Sequence, residues 1–422
     1  MDSSAAPWRV AFLVSAAIAI SYLDRQTLPV AVNVISKSIP LTNQQFSELQ
    51  SAFLLSYAFL YAGGGKLADA LGTRKGFAAI MIFWSLACAS HALAMNFAML
   101  AGSRFLLGVG EGGGFPTASR AVAEGFSVRD RATAMGIINA GTAVGGVVAP
   151  PLIALIVSYL SWRWVFLITG AAGLGWTWWW LRSYVASSEK IHQAESDDVE
   201  LGVGRNSGNN SDQLAGIRWI DLLKVSESWG LMFAKFLSDA AWYFYLFWLP
   251  KYLYDARHFD VKAVGAFAWI PYAAAGIGCL VGGWFSSFLV RREFSVNLAR
   301  KLALGLSAVI MPLIVLVPHV AVSWAILIFS LAYFGQQSWS TLVMVLPTDL
   351  FPQGVVGSVA GLVGFGGAMG GIAFGQLVGY LLDHGFGYGP VFVLAGTFHV
   401  AAFLLILVTV PVVRPLDMRV AL

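Results

Sequence analysis

The chain has 422 residues, 58% of them hydrophobic and only 11% charged, where a soluble protein carries about a quarter charged residues. Together with 45 glycines, this excludes an ordinary water-soluble domain and fits helices packed closely in lipid, where small residues let backbones approach. The net charge of +4 comes from basic residues scattered singly between apolar runs, so no nucleic-acid-binding patch is expected.

The first apolar stretch long enough to cross ~30 Å of hydrocarbon runs near residues 8–33. Residues 10–20 behind Arg9 faintly resemble a secretory signal, but the basic region is thin and the run continues into charged residues, so we read a span and not a cleaved leader. Further spans follow near 47–66, 77–95, 98–120, 132–157 and 162–184. The interval 185–224 is rich in Ser, Asn, Gly and acids and cannot bury apolar area, which makes it a tether. Six more spans run near 227–253, 263–290, 298–317, 321–346, 354–381 and 388–412. The expected fold is an all-α membrane protein: twelve transmembrane helices in two pseudo-symmetric six-helix bundles, 1–184 and 225–422, around a cytoplasmic linker at 185–224.

Placing both termini in the cytoplasm puts most of the 26 basic residues inside and leaves Lys37, Arg163, Lys251, Arg257 and Lys262 outside, as the positive-inside rule requires. Cys88 and Cys279 sit in separate apolar runs and read as small packing residues. His91, His319 and His384 fall at span ends with no spacing for a metal. No cofactor is expected.

Asp24, Arg25, Arg104, Glu111, Lys235 and Asp239 fall inside the spans. Each charge costs about 2.5 to 3.5 kcal/mol at a helix centre, so they must pair, titrate or meet water. Arg104 and Glu111, seven residues apart, share a helix face about 10 Å apart along the axis. Asp24 and Arg25 diverge by about 100° around their helix and need different partners. An arginine offers a planar fork suited to a carboxylate, and a buried carboxyl group can take up a proton. Arg25 and Arg104 are therefore expected to hold an anion, with Asp24 and Glu111 as proton carriers. Lys235 and Asp239, four apart, can neutralise each other or bind ligand. Tyr57, Asn139, Trp242, Gln336, Gln337 and Trp339 could line a sugar-sized cavity.

GKLADALGTRK (65–75) resembles the cytoplasmic loop signature of the major facilitator superfamily. The resemblance implies an inward gate built on Gly65, Asp69, Gly72, Arg74 and Lys75. SYLDRQTLPVA (21–31), RFLLGVGEGGGFP (104–116) and NAGTAVGGVVAPP (139–151) resemble the anion:cation symporter family within it. KFLSDAAWYFYLFWLPKYL (235–253), AFAWIPYAAAGIGCLVGGW (266–284) and LPTDLFP (346–352) are similar to bacterial hexuronate transporters. The family pattern implies proton-coupled symport of a small organic anion, glucuronate or galacturonate, across a bilayer, the inner membrane, by a monomeric carrier. It matches Asp24 and Glu111 to proton coupling and Arg25, Arg104, Tyr57 and Asn139 to substrate contacts. Ala240, Gly276 and Thr341 depart from the pattern in the second half, which leaves another carboxylate, such as galactonate or a sialic acid, and an exchange mode as alternatives.

Overall fold

The computed structural model describes the backbone of residues 5–63, 65–126, 128–184 and 221–416, and their side chains except at 5–7, 61–70, 123, 128–133 and 353–354. In the first half these residues form α1 (Ala5–Ser38), α2 (Asn43–Gly63), α3 (Gly65–Ser90), α4 (Phe97–Gly112), α5 (Gly114–Gly125), α6 (Val128–Tyr159) and α7 (Arg163–Ser183). The second half holds α8 (Ser226–Asp255), α9 (Val261–Phe267), α10 (Trp269–Arg291), α11 (Val296–Ile310), α12 (Val322–Leu350), α13 (Gln353–Asp383) and α14 (Gly389–Thr409). Pairing α4 with α5, α9 with α10, and α11 with the 3-10 turn Met311–His319 leaves twelve spans, each at a place the hydropathy pattern predicts. The tether expected at 185–224 lies outside the described residues up to position 220.

Local chemistry sets the ends. Asn96, Asp260 and Ser295 each accept a backbone N–H three residues on, at 3.0, 2.8 and 3.3 Å, supplying a partner to a donor that a helix start leaves unpaired. Within α3 the helix breaks at Gly72, whose φ of +73° is strained for any residue with a Cβ. Just beyond it, the Arg74 carbonyl accepts from Trp180 Nε1 at 2.9 Å and the Arg74 side chain donates to the Leu181 carbonyl, fastening the part of α3 that follows the break to the end of α7.

Among the described residues, six helical stretches are long and apolar enough to cross a membrane on length and composition alone: Leu71–Leu93, Ala134–Tyr159, Val261–Arg291, Val296–His319, Val355–Asp383 and Gly389–Thr409. The others include α1, α2, α4, α8 and α12, which carry nearly all the polar residues singled out above. Apolar side chains such as Leu280, Val309 and Val408 stand exposed, at 75%, 71% and 77%, as a surface solvated by lipid allows and one solvated by water rarely does.

The chain divides into two compact units, one of Met1–Leu28 with Ser56–Gly216, the other of Pro29–Leu55 with Ile217–Leu422. Pro29–Leu55, which the count of spans gives to the first half, thus packs with the second unit. There Tyr254 OH donates to the Val30 carbonyl at 2.5 Å, Phe46 meets Trp248 edge-on at 4.9 Å, and Gln376 Nε2 donates to Ser51 Oγ at 2.7 Å. The Asp383 carboxylate accepts the backbone N–H groups of Asn43 and Gln44 at 2.9 and 2.8 Å and the Asn43 amide at 2.8 Å. It caps α2 from 340 residues away. The core of this unit is aliphatic, with Leu231, Leu304, Leu342, Val343, Val359 and Ile406 all fully buried around Trp339. The LPTDLFP segment contributes Asp349, which pairs with Arg300 at 2.8 Å.

Candidate functional site

In the first unit, α1 and α4 bring their charges together. Arg25 Nε lies 2.6 Å from Glu111 Oε2, which also accepts from Ser21 Oγ at 2.6 Å. The Arg25 guanidinium sits 4.6 Å from the Tyr57 ring centre and 4.9 Å from that of Tyr22, a cation held against aromatic faces. Asp24 turns away from this pair, as adjacent positions on a helix must. Its Oδ1 accepts from Cys88 Sγ at 3.3 Å, and the same sulfur lies 3.2 Å from Thr169 Oγ1.

Arg104 is fully buried. Nη2 reaches the Arg25 carbonyl at 3.5 Å, while Nε and Nη1 have no hydrogen-bond partner. Its charge is within electrostatic reach of Asp24, Glu111 and Cys88. A buried guanidinium with donors to spare is costly, and a carboxylate is the ligand whose geometry would satisfy it. Asn139 is not drawn into this cluster: its side chain is exposed, and its carbonyl accepts from Thr142 at 2.8 Å.

A second polar cluster lies in the other unit. Lys235 Nζ is 2.9 Å from Asp239 Oδ1 and donates to Ser340 Oγ at 2.7 Å. Gln336 Nε2 donates to Asp239 Oδ1 at 3.3 Å, and Gln336 Oε1 meets His399 Nε2. Trp242 packs edge-on against Tyr333 at 5.5 Å. Gln337 is half-buried, its carbonyl accepting from Thr341. Close approach makes room for Asp239: a Cβ on Gly367 would lie 2.3 Å from Asp239 Oδ2, and one on Gly370 would lie 1.9 Å from the Phe236 carbonyl. Among the gate residues, Gly72 and Arg74 hold the positions given above and Lys75 is exposed. Gly65 and the Asp69 side chain lie outside the set whose surroundings are described.

Residues 14–375 match the family model of the Major Facilitator Superfamily. The chain belongs to that superfamily. It is a multi-pass membrane transporter and not an enzyme. Its relatives include the hexuronate transporter of Escherichia coli (strain K12), 28% identical over 94% of this chain and 93% of that protein. The galacturonate transporter of Dickeya chrysanthemi is 30% identical over 72% and 88%. The probable sulfoacetate transporter SauU of Cupriavidus necator is 30% identical over 89% and 87%. Among solved structures, the inward open xylose transporter XylE from E. coli shares the fold, with a TM-score of 0.72 and 15% identity over 96% of each chain.

Sequence reasoning missed several participants, Cys88 and His399 among them. Cys88 reads as a packing residue in an apolar run, yet it is a hydrogen-bond partner of Asp24. His399 escaped notice because it stands alone in a strongly apolar helix, the same isolation that forces a buried imidazole to find a polar partner.

Proposed function

We propose that this transporter carries a sugar acid anion, a hexuronate such as glucuronate or galacturonate, inward with protons by alternating access across the cell's inner membrane. The observation that carries this reading is the buried Arg104 with two unpartnered donor nitrogens beside the Arg25–Glu111 pair. With Asp24 and Glu111 ionised, the two arginines are balanced. Protonating both acids releases Arg25 and leaves two uncompensated cations, one of which a singly charged anion neutralises. Anion binding in turn favours protonation, because such coupling is reciprocal. Within the first unit, a carboxylate docks on Arg25 and Arg104 with a hydroxyl read by Tyr57; within the second, the Lys235, Asp239, Trp242, Gln336 and Gln337 group offers the chemistry to read sugar hydroxyls. Hexuronate and galacturonate carriers among the relatives support that choice.

The test is uptake of labelled glucuronate into proteoliposomes under an inward proton gradient. Wild type accumulates the anion and a protonophore abolishes accumulation. Arg104→Lys, which cannot offer a planar fork, loses at least tenfold in apparent affinity, and Glu111→Gln retains exchange but loses gradient-driven accumulation. Proton-driven uptake at wild-type level in both variants refutes the coupling scheme. A second reading, transport of another organic anion, draws on the sulfoacetate relative of equal identity. Competition by galactonate, sulfoacetate and sialic acid separates the two.

A further inference from the structure

We infer that His399 is a positioning residue that sets the amide orientation of Gln336 and, through it, the selectivity of the second polar cluster for a hydroxylated anion. The inference rests on the proposed substrate class and deepens it.

Each link in the chain of contacts has one permitted direction. An ionised Asp239 can only accept, so Gln336 must turn its NH2 towards it, and the 3.3 Å contact has that sense. The Gln336 carbonyl then faces His399. A carbonyl only accepts, so His399 Nε2 must carry the hydrogen, which leaves Nδ1 as the nitrogen without a partner. Lys235 closes the chain, bridging Asp239 and Ser340. The result is a directed line, His399 to Gln336 to Asp239, contributed by α14, α12 and α8.

His399 is fully buried and Gln336 is 1% exposed, so neither can exchange its partner for bulk water. The Trp339 ring packs edge-on against the imidazole at 5.6 Å. On another side α13 packs close against Asp239, where a Cβ on Gly367 would collide with the carboxylate. Without the imidazole donor, the Gln336 carbonyl is unpaired in an apolar core, and the amide is free to turn over. Asp239 would then face an oxygen in place of a donor, and its carboxylate would lose the fixed aim that a substrate hydroxyl needs.

Glucuronate uptake measured for wild type, His399→Phe, His399→Asn, Gln336→Leu and the double variant Gln336→Leu with His399→Phe decides the matter. His399→Phe should raise KM by about tenfold, the size of one lost hydrogen bond, with Vmax within about twofold of wild type. His399→Asn restores a donor and brings KM back to within about threefold. The double variant should be no worse than Gln336→Leu alone, because residues acting through one another are not additive. Selectivity for glucuronate over sulfoacetate should fall in His399→Phe. A wild-type KM in His399→Phe, or a KM effect that multiplies with that of Gln336→Leu, overturns the inference while leaving the proposed function standing. A loss of Vmax in His399→Phe that His399→Asn does not rescue marks a purely structural role and also overturns it. If wild type takes up none of glucuronate, galacturonate or galactonate, the proposed function fails and takes this inference with it.

Discussion

The guanidinium of Arg104 is buried without the partners its charge calls for, while Arg25, one helix away, is fully engaged by Glu111, Tyr57 and Tyr22. Under the proposed function, that difference separates a group waiting for an anion from one that must first be released. It yields a prediction for substrate-free and substrate-bound protein. Saturating galacturonate, at about a hundred times its Kd, should stabilise wild type by about 2.7 kcal/mol. Arg104→Met should unfold near the wild-type temperature but show no such gain, as read by thermal unfolding in detergent. An equal gain in the variant would remove Arg104 from the binding site. Much of this cluster was legible beforehand: a seven-residue spacing puts Arg104 and Glu111 on one face whatever surrounds them. The pairing of Arg25 with Glu111 was not, because a linear sequence states how side chains diverge on one helix but not which neighbour fills the space between two. Cys88 and Thr169 were invisible for the same reason, being small residues that become Asp24's surroundings only once α3 and α7 are packed.

At the scale of the helix, the spans were legible because lipid demands long apolar runs, and those that fall short on hydropathy hold the buried polar groups: α1, α4, α8 and α12 give up apolar length to Asp24, Arg104, Lys235 and Gln336. The interruptions at Gly113 and Ala268 were not foreseen, since neither position departs from the apolar pattern. The glycines of α13 allow a paired prediction. Gly370→Ala should destabilise the protein by at least 1 to 3 kcal/mol, as overpacking against fixed backbone does, whereas Gly361, with nothing within 4 Å of its Cβ position, should accept alanine with a gain of up to about 1 kcal/mol. Thermal unfolding of the two variants side by side checks this. The capped start of α2 gives another. The Asp383 carboxylate accepts the backbone N–H groups of Asn43 and Gln44 and the Asn43 amide. Amide exchange at Asn43 and Gln44 should therefore lose protection in Asp383→Ala. Unchanged protection in the variant would contradict the cap.

For the whole molecule, the proposed coupling through two buried acids beside two buried arginines makes a prediction about the electrical character of the cycle. If both Asp24 and Glu111 take up a proton for each singly charged anion, one net positive charge enters per turnover, and about 2.3 kcal/mol is gained per 100 mV. Uptake by wild type should accelerate under an inside-negative potassium diffusion potential, and Glu111→Gln should lose that acceleration. Potential-independent wild-type uptake would mean that only one of the two acids exchanges its proton. The twelve-helix architecture was readable from hydrophobic run lengths, but the membership of its two units was not. Run lengths count helices; they carry no information about which end of a helix belongs where.

The boundary between those units cuts α1 between Leu28 and Pro29 and α2 between Leu55 and Ser56. Covalent order and compact grouping therefore disagree. A protein severed in the interval 185–220 would yield an N-terminal fragment whose hairpin tip, Pro29–Leu55, folds as part of the other fragment's body. Such a fragment carries its own docking handle: separately expressed halves should find each other through Val30, Phe46, Asn43 and Ser51, and the C-terminal half made alone should lack a piece of itself.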